Sequence, residues 1–386
     1  MDKKMLIKVA LFTPGTRGRW GLPLLLEAEP GTAKTSIIEQ LAQAYGLGCN
    51  VIIASYREPA DFLGLPIPDV KGGAVRFAPP AWAVEAAASE RCVIFLDEFN
   101  LAPMAVQAAM LRMINDNMVG ELKLPPSVRW IAAQNAVEDS AGGYDLSPPT
   151  ANRWGHIGWE TPTAATWADW LITSGAGNAA PDALDAAAEE ARVEAAFPEA
   201  FARASGLVGG FVKRRPELLH KKPKNGDPQA SKAWPSPRTW EMAARALAGA
   251  EVHGLDIADG EELLAAFVGQ GAAVEFAAWR TMVDLPDPAS VLDGKVEFKH
   301  EARRLDRTIA LFDSCAALVT PATAEKRLAR AAKLWTLLEA TLGEAPDLIV
   351  PAARVLVQAR LVGMPEAKAA LKRVQPILAA AGLSAQ

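Results

Sequence analysis

The stretch LLLEAEPGTAKTS, residues 24–36, decides the fold. Leu24, Leu25 and Leu26 form the short apolar run of a buried strand, Pro30-Gly31 turns the chain, and Lys34-Thr35-Ser36 opens a helix. A strand, a turn of small residues and a Lys-Thr pair at a helix start have the layout of a phosphate-binding loop. Successive backbone N–H groups and a helix N-terminus there converge on one anion. The candidate loop residues are Glu29, Pro30, Gly31, Thr32, Ala33, Lys34, Thr35 and Ser36. Lys34 offers a point charge to the outer phosphates, and the Thr35 hydroxyl offers a ligand to Mg²⁺. Such loops usually carry Gly at both ends, where this chain has Ala28 and Ala33. An Ala28 at positive φ would cost about 1–2 kcal/mol, against roughly 8 kcal/mol for micromolar nucleotide binding. The loop is weakened at most. Taken alone, the stretch is also compatible with an ordinary strand–turn–helix.

Working outward, five apolar runs in the first 160 residues read as buried parallel strands: 24–27, 50–54, 92–96, 128–133 and 156–159. Continuous rather than alternating hydrophobicity is what a sheet covered on both faces requires, so an α/β layered core is expected. The third run, RCVIFLDEFN at 91–100, delivers Asp97 and Glu98 to the carboxyl end of its strand, the edge where open α/β sheets bind ligands. Asp97 is placed to hold Mg²⁺ through water, and Glu98 to orient and polarise an attacking water. The plainer reading of this pair is an acidic turn. The fourth strand ends in Gln134-Asn135, and an Asn there can bond a γ-phosphate or a water, or simply close a turn. Arg153 stands just before the fifth strand, where the residues alone make it a surface arginine.

Composition narrows the class. The chain has 386 residues, half of them apolar, which predicts two or three domains with ample core. A net charge of −5 gives no general attraction to nucleic acid or anionic membrane. Cys49, Cys92 and Cys315 are scattered without metal-ligand spacing, as are the histidines, so reduced thiols in a cytoplasmic protein are expected and no zinc site is seen. The N-terminal apolar run is interrupted by Lys8 and is not read as a signal peptide, and no run is long enough to span a membrane.

The ordered segments EAEPGTAKTS, SYREPADFLGLP, IFLDEFN, AAQNA, ANRW and WPSPRTW resemble the MoxR-type AAA+ ATPases over roughly residues 1–285. The resemblance implies a five-stranded parallel sheet of order 5-1-4-3-2, a helical lid, and a ring, expected as a hexamer, with ATP and Mg²⁺ between subunits. It assigns Lys34 and Thr35 to the first nucleotide motif, with Asp97 and Glu98 in the second. Asn135 becomes the first sensor, Arg153 an arginine finger acting in trans, and Arg238 the second sensor. It further implies a protein client, with a von Willebrand factor A-domain protein as the partner to seek. Leu101 stands where many such proteins carry Arg, and Ala136 follows Asn135 where Pro is usual; both put the hydrolysis rate in question more than binding.

The expected domains are a core over 1–160 with hairpin inserts near 61–82 and 118–128, a helical linker and lid over 161–285, and a C-terminal helical domain over 286–386. The first hairpin tip falls at Gly72-Gly73, beside Val70. That insert is either a partner-engaging surface element or a loop covering the sheet. Between the inserts, residues 102–113 read as a helix. Trp167 and Trp170 are expected as core anchors. A helix over 182–205 starts from an Asp cap. Residues 213–224, KRRPELLHKKPK, are a solvated polar loop or a phosphate or nucleic-acid contact. Ser236-Pro237 caps a helix whose first turn carries Arg238, so that a lid movement can swing this charge onto nucleotide. The connector 284–297 is the preferred boundary. Beyond it, Leu305, Ile309, Phe312, Ala316 and Val319 make one helical stripe, and Leu328, Ala331, Trp335, Leu338 and Leu342 another. Two other functional classes remain: an ATP-gated binding scaffold with little hydrolysis, and a nucleic-acid-stimulated motor.

Overall fold

A computed structural model describes residues 3–69, 72–135, 143–175, 184–224, 226–342 and 346–380. Val70, Ala136, Asp182 and the Trp170 side chain lie outside the described residues, and with them the readings placed there.

The strands are β1 (Leu24–Ala28), β2 (Gly48–Ile53), β3 (Leu65–Asp69), β4 (Ala74–Ala78), β5 (Cys92–Asp97), β6 (Met118–Val119), β7 (Leu122–Lys123), β8 (Val128–Gln134) and β9 (Gly155–Trp159). Five form one parallel sheet in the order β2-β5-β8-β1-β9. Numbered within the sheet alone and read from the other edge, that order is 5-1-4-3-2. The whole-chain numbers differ because the antiparallel hairpins β3-β4 and β6-β7 are inserted between core strands. Register puts Leu24, Ile131 and Phe95 on one face and Leu25, Ala132 and Leu96 on the other, and all six are buried. Both faces are covered, and this is why the central strands read as unbroken apolar runs. The helix Met104–Asp116, which starts two residues later and ends three residues later than the 102–113 expected, lays Val106, Met110 and Met113 on the Leu25 face.

The chain divides into two compact units, Met1–Ala195 with Lys221–Gly269, and Ala196–His220 with Gln270–Gln386. Neither limit coincides with 160 or 285. In the first unit the helix Ile257–Val268 packs on β9, where Phe267 is so close that a Cβ on Gly155 would lie 2.7 Å from its ring. This returning helix therefore covers that edge of the sheet. The second unit is a helical bundle around Phe312, Leu334, Trp335, Leu338 and Ile349. The connector 284–297 is no open linker, because the helix Pro288–Leu292 buries Val291 and Leu292 in that same core. In the two C-terminal stripes Phe312, Ala316, Val319, Ala331, Trp335 and Leu338 are buried, Leu305 and Leu328 are exposed, and the Leu342 side chain lies outside the described residues.

Local chemistry accounts for the remaining differences. The long helix runs Ala186–Arg214, and Asp185 caps it, accepting from the Ala187 and Ala188 amides at 3.0 and 3.1 Å. Trp167 is not a core anchor: on the helix Ala164–Gly175 it is 51% exposed. In the basic cluster, Lys213 and Arg214 end the long helix, Lys213 pairs with Asp313 at 2.5 Å, and Arg215 pairs with Glu217 and Glu275. Ser236 forms the expected N-cap, completed as a capping box by Thr239. Among the described residues no helix is long and apolar enough to cross a membrane.

Candidate functional site

The carboxyl edge of the sheet gathers the candidate loop and the acid pair. After β1 the chain passes through Glu29–Ala33 and enters the helix Lys34–Ala44, so Lys34, Thr35 and Ser36 form its first turn. Ala28 ends the strand with ordinary backbone geometry. The left-handed residue is Ala33, at φ 55°, with Gly31 at φ 81°. The strain expected at the front of the loop is at its back, because the chain must reverse there to start the helix. Thr32 steadies the turn, its hydroxyl donating to the Glu29 carbonyl at 2.8 Å.

Lys34 reaches back across the turn. Its ammonium donates to Asn135 Oδ1 at 2.6 Å, to the Glu29 carbonyl at 3.0 Å and to the Ala28 carbonyl at 3.4 Å. Burial lowers the Lys34 pKa from its ordinary value, while the nearby Asp97 and Glu98 carboxylates work to raise it. Thr35 Oγ1 donates to Asp97 Oδ2 at 2.6 Å, and the Glu98 amide donates to Asp97 Oδ1 at 2.9 Å. Two strands and one helix thus set a lysine, a threonine, a carboxylate and an asparagine around one point. A hydroxyl resting on a carboxylate at the start of a helix is an oxygen donor set of the kind Mg²⁺ accepts. Thr35, and Asp97 through water, are the residues that would hold such an ion, which would neutralise phosphate charge.

Glu98 follows in a left-handed conformation, φ 53°, which turns its side chain out of the strand direction. Its carboxylate accepts a hydrogen bond from Ser55 Oγ, just beyond β2. Asn100 is buried and donates through Nδ2 to the Asn135 carbonyl at 3.0 Å, bracing the chain just beyond β8. Thr161 donates to Glu29 Oε2 at 2.7 Å, engaging that loop carboxylate after β9. None of Ser55, Asn100 and Thr161 was a candidate on sequence grounds. Ser55 and Asn100 do lie inside the segments SYREPADFLGLP and IFLDEFN. Register offers the missing signal, since Ile53 pairs with Asp97 and Ala28 with Trp159, and residues just beyond these pairs share one edge.

Arg153 and Arg238 are not at this edge. Arg153 precedes β9, whose first amide bonds the Pro23 carbonyl, so it lies at the amino ends of parallel strands. A five-residue strand separates that edge from the loop by about 15 Å. Arg153 donates from Nε to Asn115 Oδ1 at 2.8 Å and from Nη1 to the Pro149 carbonyl. Arg238 lines the same cavity as Arg153, and their mutual repulsion adds to burial in lowering the Arg153 pKa. Asn152 fixes this pairing: its Nδ2 donates to the Trp234 carbonyl at 3.0 Å, and Ser236 Oγ donates to its Oδ1 at 2.8 Å. The two arginines share an edge remote from the Lys34 of the same chain.

A parallel sheet of this order, with a Lys-Thr loop facing an Asp-Glu strand end, defines a P-loop nucleotide-binding core. Residues 23–154, about a third of the chain, match the family described as ATPase family associated with various cellular activities (AAA), and nucleotide binding is the property that this match implies for the segment. Among solved structures, one named as a candidate ATPase from Cytophaga hutchinsonii ATCC 33406 is 19% identical, covering 68% of this chain and 78% of that one. Its TM-score of 0.45 is too slight a likeness to bear on fold or activity.

Proposed function

We propose that the chain is a MoxR-type AAA+ ATPase that hydrolyses ATP with Mg²⁺ at subunit interfaces of a ring, expected as a hexamer, to remodel or assemble a partner protein in the cytoplasm. The observation that carries this reading is the convergence of Lys34, Thr35, Asp97 and Asn135 on one point of the sheet edge. Lys34 and the loop amides bind the triphosphate, Thr35 and Asp97 orient the metal side, and Asn135 holds Lys34 in line. Glu98 takes up a proton from the attacking water. Arg153 and Arg238 cannot reach that point within one chain, and their common edge supports action on a neighbouring subunit's nucleotide. A von Willebrand factor A-domain protein is the first partner to seek.

Turnover by wild type that is lost in both Lys34→Ala and Glu98→Gln supports the enzyme. Absence of turnover in wild type sinks it. Size measurement with a slowly hydrolysed ATP analogue tests the ring, for which a strict monomer is the failing result. Affinity capture with Glu98→Gln in ATP then seeks the client.

One observation favours the scaffold with little hydrolysis. The Glu98 carboxylate is engaged by Ser55 and must be released before it can act on water. If that hydrogen bond is what restrains turnover, Ser55→Ala hydrolyses ATP faster than wild type. Unchanged slow turnover in Ser55→Ala removes Ser55 as the cause.

A further inference from the structure

A cavity of about 440 Å³ opens at the amino ends of β1 and β8, on the edge of the first unit remote from Lys34. That volume lies within the usual range of small-molecule sites. Leu22, Pro23, Val128 and Trp130 give it an apolar floor. Arg17, Arg19, Arg153 and Arg238 line it as well, against the acids Asp116 and Glu241. Glu241 is bound to Arg245 at 3.0 Å. Asp116 lies 3.8 Å from Arg17, with side chains 49% and 75% exposed, and so open a pair holds Arg17 by at most about 1 kcal/mol. The lining therefore carries more positive charge than its acids answer. Guanidinium groups do not escape such crowding by losing protons.

The arginines are set in place by the fold. The loop between the first helix and β1 is wound tightly: Gly15 N donates to the Arg19 carbonyl at 2.7 Å, Gly21 N to Thr13 at 2.9 Å, and Trp20 N to Pro126 at 2.8 Å. A Cβ on Gly15 would lie 2.9 Å from the Gly21 carbonyl oxygen, so only Gly permits this approach. Arg17 sits at the loop tip with φ 58°, and Arg19 is tied to the Ile114 carbonyl through Nη1 at 3.0 Å. Burial and the neighbouring Arg17 both lower the Arg19 pKa, as burial and Arg238 do for Arg153. Like charges held together ahead of any ligand are the preorganised half of an anion site.

We infer that this cavity is a polyphosphate site in which Arg17 and Arg19 join Arg153 and Arg238 around a triphosphate. Arg153 and Arg238 were candidates from the family resemblance, whereas Arg17 and Arg19 enter through geometry alone. A single carboxylate engages one planar fork; a chain of phosphates presents paired oxygens to several. Two sources supply this chemistry: free nucleotide, or a triphosphate seated in the phosphate loop of a second copy of this chain. The second source rests on the ring proposed above.

The test is calorimetric titration of the full chain with inorganic tripolyphosphate, with Lys34→Ala removing the chain's own loop as a competing site. For the free source, Lys34→Ala still takes up one tripolyphosphate, and adding Arg17→Ala weakens it at least tenfold. For the second-copy source, Lys34→Ala takes up none. A mixture of the Lys34→Ala and Arg17→Ala proteins then binds a slowly hydrolysed ATP analogue at least tenfold tighter than Arg17→Ala alone. If Arg17→Ala matches wild type in both experiments, the inference fails. ATP turnover of the wild type, measured alongside, separates the two claims. Arg17-dependent binding without turnover sinks the ATPase and leaves the site, and Lys34-dependent turnover with indifferent Arg17 does the reverse.

Discussion

Replacing each loop-flanking alanine by glycine should move stability in opposite directions. Ala33 is exposed and left-handed, and an L-residue there costs about 1–2 kcal/mol that glycine does not. Against this, glycine loosens the unfolded chain by about 0.4–1 kcal/mol. Ala33→Gly is thus expected to stabilise by roughly 0.8 kcal/mol, the difference between the middles of those ranges. Ala28 has no strain to release and is only 5% exposed. Its glycine loses a buried methyl worth about 0.8 kcal/mol and adds an entropy cost of about 0.5–1 kcal/mol. Ala28→Gly should therefore destabilise by roughly 1–2 kcal/mol. The assay is urea unfolding, following the transition that a slowly hydrolysed ATP analogue displaces, since that transition reports the nucleotide-binding unit. With a slope of about 2 kcal/mol/M, 1 kcal/mol moves the midpoint by about 0.5 M. A stabilised Ala28→Gly, or a destabilised Ala33→Gly, would refute the placement of strain at the back of the loop.

Thr35→Ala removes the hydroxyl from Asp97 and should raise the Mg²⁺ concentration needed for half-maximal turnover on the order of tenfold or more, while Thr35→Ser keeps it near wild type. Glu98→Gln should retain nucleotide and lose turnover by about 10²–10⁴, read by binding and phosphate release in parallel. Gly206→Ala drives a Cβ to within 2.4 Å of the Ser314 Cα, and should lower the urea midpoint of the helical unit by about 1–3 kcal/mol of stability. The Arg192 guanidinium, aided by Lys8 and His253, holds Glu189 down to about 2 from an ordinary 4.5. A depressed carboxyl contributes stability above the unfolded value, lost as pH falls from about 4.5 towards about 2. Arg192→Ala should flatten the urea midpoint across that window, an effect kept small by the half-exposed guanidinium.

The sheet was legible because it is covered on both faces: Leu24–Leu26 and the 92–96 run need no partner to be read as buried strands. The loop and acid pair were legible because each is continuous in sequence. Trp167 misled because a large aromatic at helical spacing says nothing of whether its face is covered. The edge on which Arg238 sits was not legible, because its helix cap fixes only a local start while its position depends on Asn152, far earlier in the chain. Ser55 and Thr161 were hidden for a related reason: each acts by ending up beside a neighbouring strand's end, and strand order rather than local pattern decides that. The unit boundary was illegible because Pro- and Gly-rich composition marks turns, and the turn at Pro288 happens to be packed into a core.

The nucleotide-binding unit is not contiguous, and this bears on how the chain is born. β1 meets its edge partner only when Gly155 onward has been made, and Phe267 covers that edge roughly a hundred residues later. At 5–20 residues per second the ribosome leaves the half-built sheet bare for roughly 5–20 s, with residues 196–220 of the other unit already emerging. A nascent chain stalled or cleaved near residue 160 would hold Lys34, Thr35, Asp97, Glu98 and Asn135, lack Arg238, and still be a sticky, unfinished object, a natural client for the cell's holding chaperones.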